Sequence, residues 1–341
     1  MRILSIETSC DETAIAVVDC MGSYEDPSFT VRAHVVATQI ATHRPFGGVV
    51  PSLAKRAHLV NLPLAYEEVL AQLAVAGCEP QFGRIAVTVG PGLEPALWTG
   101  INFANDLSAK LGVPCVGVNH LEGHVYSNWL DAAAAQKIVF PVVVLLVSGG
   151  HTALALMDSM QSRRMLGETQ DDAAGEAFDK VAKMLGLPYP GGPEVERMAQ
   201  RGNPDAIAFP RPMLHSGDFN FSFSGLKTAV LYSIRNPKSL EPKPYNSSDV
   251  CASFQKAAID VLVAKTMRAA EENGAQSVLV CGGVASNAAL HAELKKRAEE
   301  TGMVFAAPAM QYNGDNAVMI AAASYLGVAH PTEKALPNLN L

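Results

Sequence analysis

The chain has 341 residues, 49% hydrophobic and 17% charged, with a formal net charge of −7. That length exceeds the roughly 250–300 residues at which a single core stops growing, so two lobes are expected, and the apolar content excludes intrinsic disorder. The acidic balance excludes a globally basic nucleic-acid coat but not a local basic patch. The longest apolar run, 138–147, is interrupted by Pro141 and falls well short of the roughly 18 residues of a membrane helix. Glu7 and Asp11 stand where a signal peptide needs its apolar core, so a cytoplasmic location with no membrane contact is expected. The 6 cysteines form no CxxC pair, which reads as scattered reduced thiols.

Residues 2–8 and 13–19 are short β-type runs around a polar turn. The run 85–90 ends in Pro91-Gly92, a helical stretch follows through about Leu111, and 115–120 is a strand leading into a helix expected over 121–131. Strands followed by helices predict an α/β lobe with a largely parallel sheet. The composition resets near 136–141, where a very apolar strand, 140–147, begins. This places a boundary between an N-terminal lobe, 1–135, and a C-terminal lobe, 136–312. Residues 175–186 and 249–273 read as helices, and 277–287 as strand, glycine turn and helix start. Residues 286–300 form a helix with a basic end at Lys295, Lys296 and Arg297, which suits a helix C-terminus. Residues 304–308 are a short strand. Asp315 opens a last helix, within about 315–328, expected to pack back on the first lobe. The stretches 187–222 and 236–247 read as loops and 329–341 as an irregular tail.

The second half opens as the first does. Aligned without gaps, 6–19 and 145–158 share Ser9/Ser148, Thr13/Thr152, Ala14/Ala153, Ala16/Ala155 and Asp19/Asp158. The shared pattern of strand, tight polar turn and strand suggests a duplicated domain. Two such lobes facing one another would form a cleft, a favoured ligand site.

Several residues are candidates for chemistry. In Ser148-Gly149-Gly150-His151-Thr152, paired glycines let the backbone approach a ligand and form an anion nest, although Gly-Gly is also a common hairpin turn. Cys281-Gly282-Gly283-Val284-Ala285-Ser286-Asn287 leads into a helix whose N-terminus attracts phosphate, with Ser286 or Asn287 as its cap. Neither loop is a Walker motif, and GxGxxG is absent. His120 and His124 lie four apart, so both rings share one helix face. The order HLEGH differs from the protease HExxH, and Glu122 lies about 200° around the helix from His120. Asp315 is a candidate third ligand, with N-capping the competing role. Two imidazoles and a carboxylate with open positions suit Fe(II), with zinc the alternative. Asp171 and Asp172 read as capping residues, and Asp179 could accept a ribose hydroxyl. Gly191-Gly192-Pro193 forms a further tight turn. His58 and Lys227 carry no motif, and Lys55-Arg56 and Arg163-Arg164 read as solvated faces.

Taken together, IETSCDET, GGVVPSLAKRAH, GPGLEPAL, NHLEGH, LLVSGGHT, DDAAGEAFDKVAKMLGLPYPGGP, FSFSGLKT, CGGVASN and GDNAVMIA resemble, in order, the motifs of the TsaD family of bacterial tRNA N6-adenosine threonylcarbamoyltransferases. The resemblance spans essentially the whole chain. It implies the duplicated actin-like, Hsp70-like, sugar-kinase (ASKHA) α/β fold, two lobes around a nucleotide cleft. It also implies transfer of the threonylcarbamoyl group from threonylcarbamoyl-AMP to N6 of the adenosine 3′ of the anticodon, in tRNAs reading codons that begin with A. By motif position, His120, His124 and Asp315 correspond to ligands of one Fe(II). Leu146, Val147, Ser148, Gly149, Gly150, Asp179, Gly192 and Asn287 correspond to adenylate contacts. Glu196 stands where many relatives carry an aspartate at the ribose. The implied partners are tRNA, a TsaB-like subunit and a TsaE-like ATPase. Ser52, Lys55, Glu94-Pro95 and Asn119 depart from the usual pattern. No Ser-His-Asp or Cys-His arrangement is apparent, so no covalent acyl-enzyme is expected. The turn Glu7-Thr8-Ser9-Cys10 lacks the aspartate-glycine signature of small-molecule kinases of this fold, and the His-His-Asp set disfavours a scaffold without chemistry.

Overall fold

Where a strand is covered on both faces, its side chains are apolar in both directions. That is the pattern of the two central strands, β1 (Arg2–Glu7) and β6 (Val142–Val147), the second buried at every position. The computed structural model describes residues 1–235 and 246–341; residues 236–245 of the expected loop 236–247 lie outside it. Two compact units result. One comprises Met1–Lys137 with Pro308–Leu341, the other Ile138–Ala307.

The first unit contains β1, β2 (Glu12–Gly22), β3 (Pro27–Thr38), α1 (Ile40–His43), α2 (Pro51–Val75), β4 (Arg84–Gly90), α3 (Glu94–Leu111), β5 (Cys115–Asn119), α4 (His120–Tyr126) and α5 (Ala132–Ala135). The second contains β6, β7 (Thr152–Met157), β8 (Arg163–Glu168), α6 (Ala174–Met184), α7 (Gly191–Ala199), α8 (Ser224–Arg235), α9 (Ser247–Glu272), β9 (Ser277–Cys281), α10 (Ala288–Glu300) and β10 (Val304–Ala306). The chain then returns to the first unit as α11 (Ala317–Leu326).

The sheet orders are β3-β2-β1-β4-β5 and β8-β7-β6-β9-β10, the same path taken twice. In each, the first three strands pair antiparallel and the rest parallel, so the sheets are mixed and not largely parallel as expected. The ungapped alignment of 6–19 with 145–158 maps ladder onto ladder. Ile6 faces Ile15 as Leu145 faces Leu154, and Glu7 faces Ala14 as Leu146 faces Ala153. Side chains alternate along a strand, so a one-residue slip would have exchanged the faces.

In the first unit Leu4, Ile6, Ile15 and Val17 form a core with Leu62, Val69 and Leu73 of α2 and Leu97 and Ile101 of α3. In the second, Val143, Leu145 and Leu154 pack with Phe178, Phe254 and Leu262. Almost every residue of α11 is buried, as expected of a helix apolar all round. It packs against α4, β1 and β2, and Ser5 Oγ donates to the Ala317 carbonyl at 2.6 Å. At Gly123 an added Cβ would stand 3.0 Å from Met319 Cγ, so glycine lets α4 and α11 approach closely.

Three expectations about elements need correcting. The helix expected over 121–131 ends at Tyr126 and continues as a 3-10 turn, Ser127–Trp129. There the Ser127 hydroxyl and the Asn128 amide donate to the carbonyls of His124 and Val125, competing with the helix ladder. The expected loop 187–222 contains α7. Sequence periodicity places no element over 27–38 or 51–75, yet these are β3 and the long α2. Leu59, Val60 and Leu64 of α2 are exposed, so its apolar residues do not mark one face. Among the described residues no helix is long and apolar enough to cross a membrane.

Candidate functional site

The strand-to-helix junction β5–α4 sets the first cluster. Asn119 is the N-cap of α4, its Oδ1 accepting the Leu121 N–H at 2.8 Å. Its amide donates to the Asn340 carbonyl at 2.7 Å. The tail 329–341, though irregular, is therefore tied down. Gly117 and His330 exchange backbone hydrogen bonds of 2.8 and 2.9 Å, and the Leu336 N–H donates to Val89. On the first turns of α4 the rings of His120 and His124 meet edge to face, centroids 4.7 Å apart. Asp315 arrives from the other end of the chain, just before α11. It does not cap that helix, because Asn316 does so by accepting the Met319 N–H.

The ligand atoms of His120, His124 and Asp315 lie within 4.8 Å of one another. Asp315 Oδ1 is 3.4 Å from His120 Nε2 and 3.2 Å from His124 Nε2. His124 is wholly buried, and neither ring nitrogen makes an aligned hydrogen bond. Burial opposes charge on His120, but Asp315 and Glu7 outweigh it and hold the imidazole pKa well above its ordinary value. Burial, with His120 nearby, pulls His124 down. Burial alone would raise the Asp315 pKa, but the two imidazoles bring it far below the carboxylate range. Such a set, a half-buried carboxylate facing two buried ring nitrogens, could hold a metal cation. His124 Nε2, buried 3.2 Å from Asp315 Oδ1 without an aligned hydrogen bond, fits a ligand of a divalent ion with open coordination positions.

The second unit assembles the glycine loops. Gly149 and Gly150 sit in a hairpin closed by Ser148 N–H to His151 carbonyl, 2.8 Å, after Leu146 and Val147 at the end of β6. A Cβ added at Gly149, Gly150, Gly192 or Gly283 would meet nothing within 4 Å. At Gly175 it would stand 2.5 Å from the Ser148 carbonyl oxygen, and at Gly282, whose φ is +95°, 2.5 Å from that of Val147. The start of α6 and the second glycine loop therefore both close on the end of β6. Asp179 Oδ1 accepts the Gly191 and Gly192 N–H groups at 2.7 and 3.2 Å. Asn287, not Ser286, caps α10 through the Ala289 and Leu290 amides, and its own amide donates to Gln255. Glu196 Oε1 accepts the Ala288 N–H at 2.8 Å.

Other polar residues resolve into structure. Asp171 does not cap α6, the helix that follows it; it accepts the Phe223 and Ser224 amides at the start of α8. Asp172 pairs with Lys180 at 2.8 Å and Lys227 at 2.5 Å. His58 is fully buried, bonded to Thr13 Oγ1 at 2.8 Å and the Cys10 carbonyl at 3.0 Å. Sequence analysis missed the carboxylates of the first turn. Glu7 is fully buried and 3.0 Å from His120 Nδ1. Burial, then the charges of Asp315 and Asp11, push Glu12 up to about 9. The available signal was Glu7 itself, an acidic residue at a position whose duplicate is Leu146.

Fold and side-chain geometry together define a duplicated actin-like (ASKHA) α/β protein with a His-His-Asp cluster in one unit and open glycine turns in the other. The TsaD model, tRNA N6-adenosine threonylcarbamoyltransferase, matches residues 30–322. Proteins of that name are similar over nearly the whole chain: 46% identical in Thermosipho melanesiensis, covering 100% of both chains, and 49% in Geobacter metallireducens, covering 94% of this chain and 90% of that one. The Bacillus subtilis protein is 47% identical, covering 95% and 89%. The chain belongs to the TsaD family. Among solved structures, HypF of T. kodakarensis gives a TM-score of 0.63 at 13% identity, covering 94% of this chain; the chain spans about half, 47%, of HypF. Component A of (R)-2-hydroxyglutaryl-CoA dehydratase from Acidaminococcus fermentans gives 0.52 at 16% identity, covering 96% and 97%. These two show the fold alone.

The raised Glu12 pKa carries a pH signature. A carboxyl that stays protonated in the fold to about 9, from an ordinary 4.5, costs the fold stability as pH rises through that interval, because the unfolded chain ionises first. In the metal-free protein, Glu12→Gln is therefore expected to raise Tm over wild type by an amount that grows from pH 5 to pH 9. At pH 8 the gain is at least about 2 °C, the size of a 1 kcal/mol effect in a domain of this length. Calorimetry across that range is the check.

Proposed function

We propose that the chain transfers a threonylcarbamoyl group from threonylcarbamoyl-AMP to N6 of the adenosine 3′ of the anticodon in tRNAs reading codons that begin with A, with one Fe(II) held by His120, His124 and Asp315. The observation that carries this reading is the convergence of those three side chains in a member of this family. Two imidazoles and a carboxylate with open positions are the Fe(II) pattern, and zinc is the alternative for the same donors.

The donor is a mixed anhydride, activated before it arrives, whereas the adenine N6 lone pair is delocalised into the ring. Positioning and carbonyl polarisation are therefore the needs, and orientation alone can supply about 7–11 kcal/mol. A bound ion supplies Lewis-acid polarisation of the threonylcarbamoyl carbonyl. The open amides of Gly149 and Gly150 take the adenylate phosphate and stabilise the charge left on departing AMP. Gly192 leaves space for the nucleoside beside Asp179, while the first amides of α10 are already taken by Glu196 and Asn287. No protein nucleophile is required.

The tRNA must find a local basic surface on an acidic chain. A TsaB-like subunit and a TsaE-like ATPase are the proposed protein partners. The exposed Leu59, Val60 and Leu64 of α2, beside a groove lined by Leu62, Trp98 and Phe103, support a docking face on the first unit. The proposed location is the cytoplasm, where tRNA and the adenylate are made.

Two experiments test the reading. In a reconstituted mixture with the partners, labelled threonine should enter tRNA with wild type, and His124→Ala should lower the rate at least 100-fold while losing iron after anaerobic purification. Activity retained without the ion would contradict the metal role. Gly192→Ala enters open space on a helix, where alanine stabilises by roughly 0.5–1 kcal/mol. It should leave Tm unchanged or slightly raised, yet weaken binding of a non-hydrolysable adenylate analogue at least 10-fold by calorimetry. Unchanged binding would remove Gly192 from the site.

A further inference from the structure

Glu7 is the least expected residue of the first sheet. It ends the central strand β1, with no exposed surface. In the duplicated hairpin the equivalent ladder position is Leu146, facing Ala153 as Glu7 faces Ala14. The fold therefore accepts an apolar side chain there, and burying a carboxylate is costly unless it is fully paired. It is paired: Oε1 accepts the Ser9 N–H at 2.5 Å, and Oε2 accepts the Thr88 hydroxyl at 2.6 Å and stands 3.0 Å from His120 Nδ1.

From this arrangement we infer that Glu7 is a positioning residue for the ion held by His120, His124 and Asp315, an inference that rests on the metal reading above. A carboxylate can only accept, so Nδ1 of His120 carries the hydrogen. That leaves Nε2, which faces Asp315 Oδ1 3.4 Å away, as the nitrogen available to the ion. Between an imidazole nitrogen and a carboxylate oxygen so placed stands either a proton or a metal cation, and a divalent ion displaces the proton when it binds. Thr88 and the Ser9 amide fix the carboxylate, the carboxylate fixes the ring, and the ring fixes the ion. Outer hydrogen-bond partners of this kind alter metal affinity by about 10–100-fold.

The test is Co(II) binding to the full chain, titrated against a chromophoric chelator, for wild type, Glu7→Gln, Thr88→Val and His124→Ala. Expected are at least 10-fold weaker Co(II) binding by Glu7→Gln, a shift of its visible d–d bands, and a smaller loss in Thr88→Val, which keeps the carboxylate but removes one of its anchors. Thr88→Val also stands in should Glu7→Gln fail to fold. A merely structural role would lower Tm in the metal-free protein while leaving affinity and spectrum at wild-type values. That result, with His124→Ala still losing the ion, overturns the inference and spares the metal site. A wild-type chain that binds no Co(II) overturns both.

Discussion

A carboxylate pressed against two buried imidazoles is tolerable only with a cation or a proton among them, and the first unit is organised around that constraint. Asp315 reaches the cluster because α11, apolar on every side, is buried against α4, β1 and β2. His120 and His124 reach it because Asn119 caps α4. Gly123 lets the two helices approach. Each of these is a packing feature, and together they deliver ligands nearly 200 residues apart in sequence to one point.

Duplication explains how the second unit differs. Both hairpins keep the same register, so equivalent positions meet the same backbone geometry. In the second unit the turn holds Gly149 and Gly150, open where side chains would stand. In the first it is flanked by Glu7 and Glu12. One scaffold thus yields an open glycine turn and a turn rich in carboxylates. The strand register is kept while the turns change: the Ser148 N–H closes its hairpin on the His151 carbonyl, whereas the equivalent Ser9 N–H turns to Glu7, as expected where function is grafted on a common fold.

What could be read from sequence follows the range of the interactions. The four-residue spacing of the histidines, the glycine turns and the repeat are local or periodic, and were legible. The mixed sheets were not, because alternation does not tell a parallel neighbour from an antiparallel one. α2 was missed because Leu59, Val60 and Leu64 point outward and blur its apolar stripe. The capping roles of Asp171 and Asp315 pass to distant or adjacent partners that spacing cannot distinguish: Asp171 serves α8, and Asn316 relieves Asp315. Glu7 was invisible because its partner lies 113 positions away. Glu196 was read only through resemblance, whereas Asp179 and Asn287 were also legible as a polar acceptor and a helix cap. In the structure their carboxylate and amide oxygens accept backbone N–H groups, so any ligand must use what those bonds leave or organise.

The most direct measurement is X-ray absorption at the iron edge of anaerobically purified, full-length protein, with metal content determined on the same sample. The account predicts about one iron per chain, with two imidazole nitrogens at about 2.0–2.2 Å, oxygen in the remaining positions, and no sulfur. An iron-free active protein, or a sulfur-ligated metal, would contradict it.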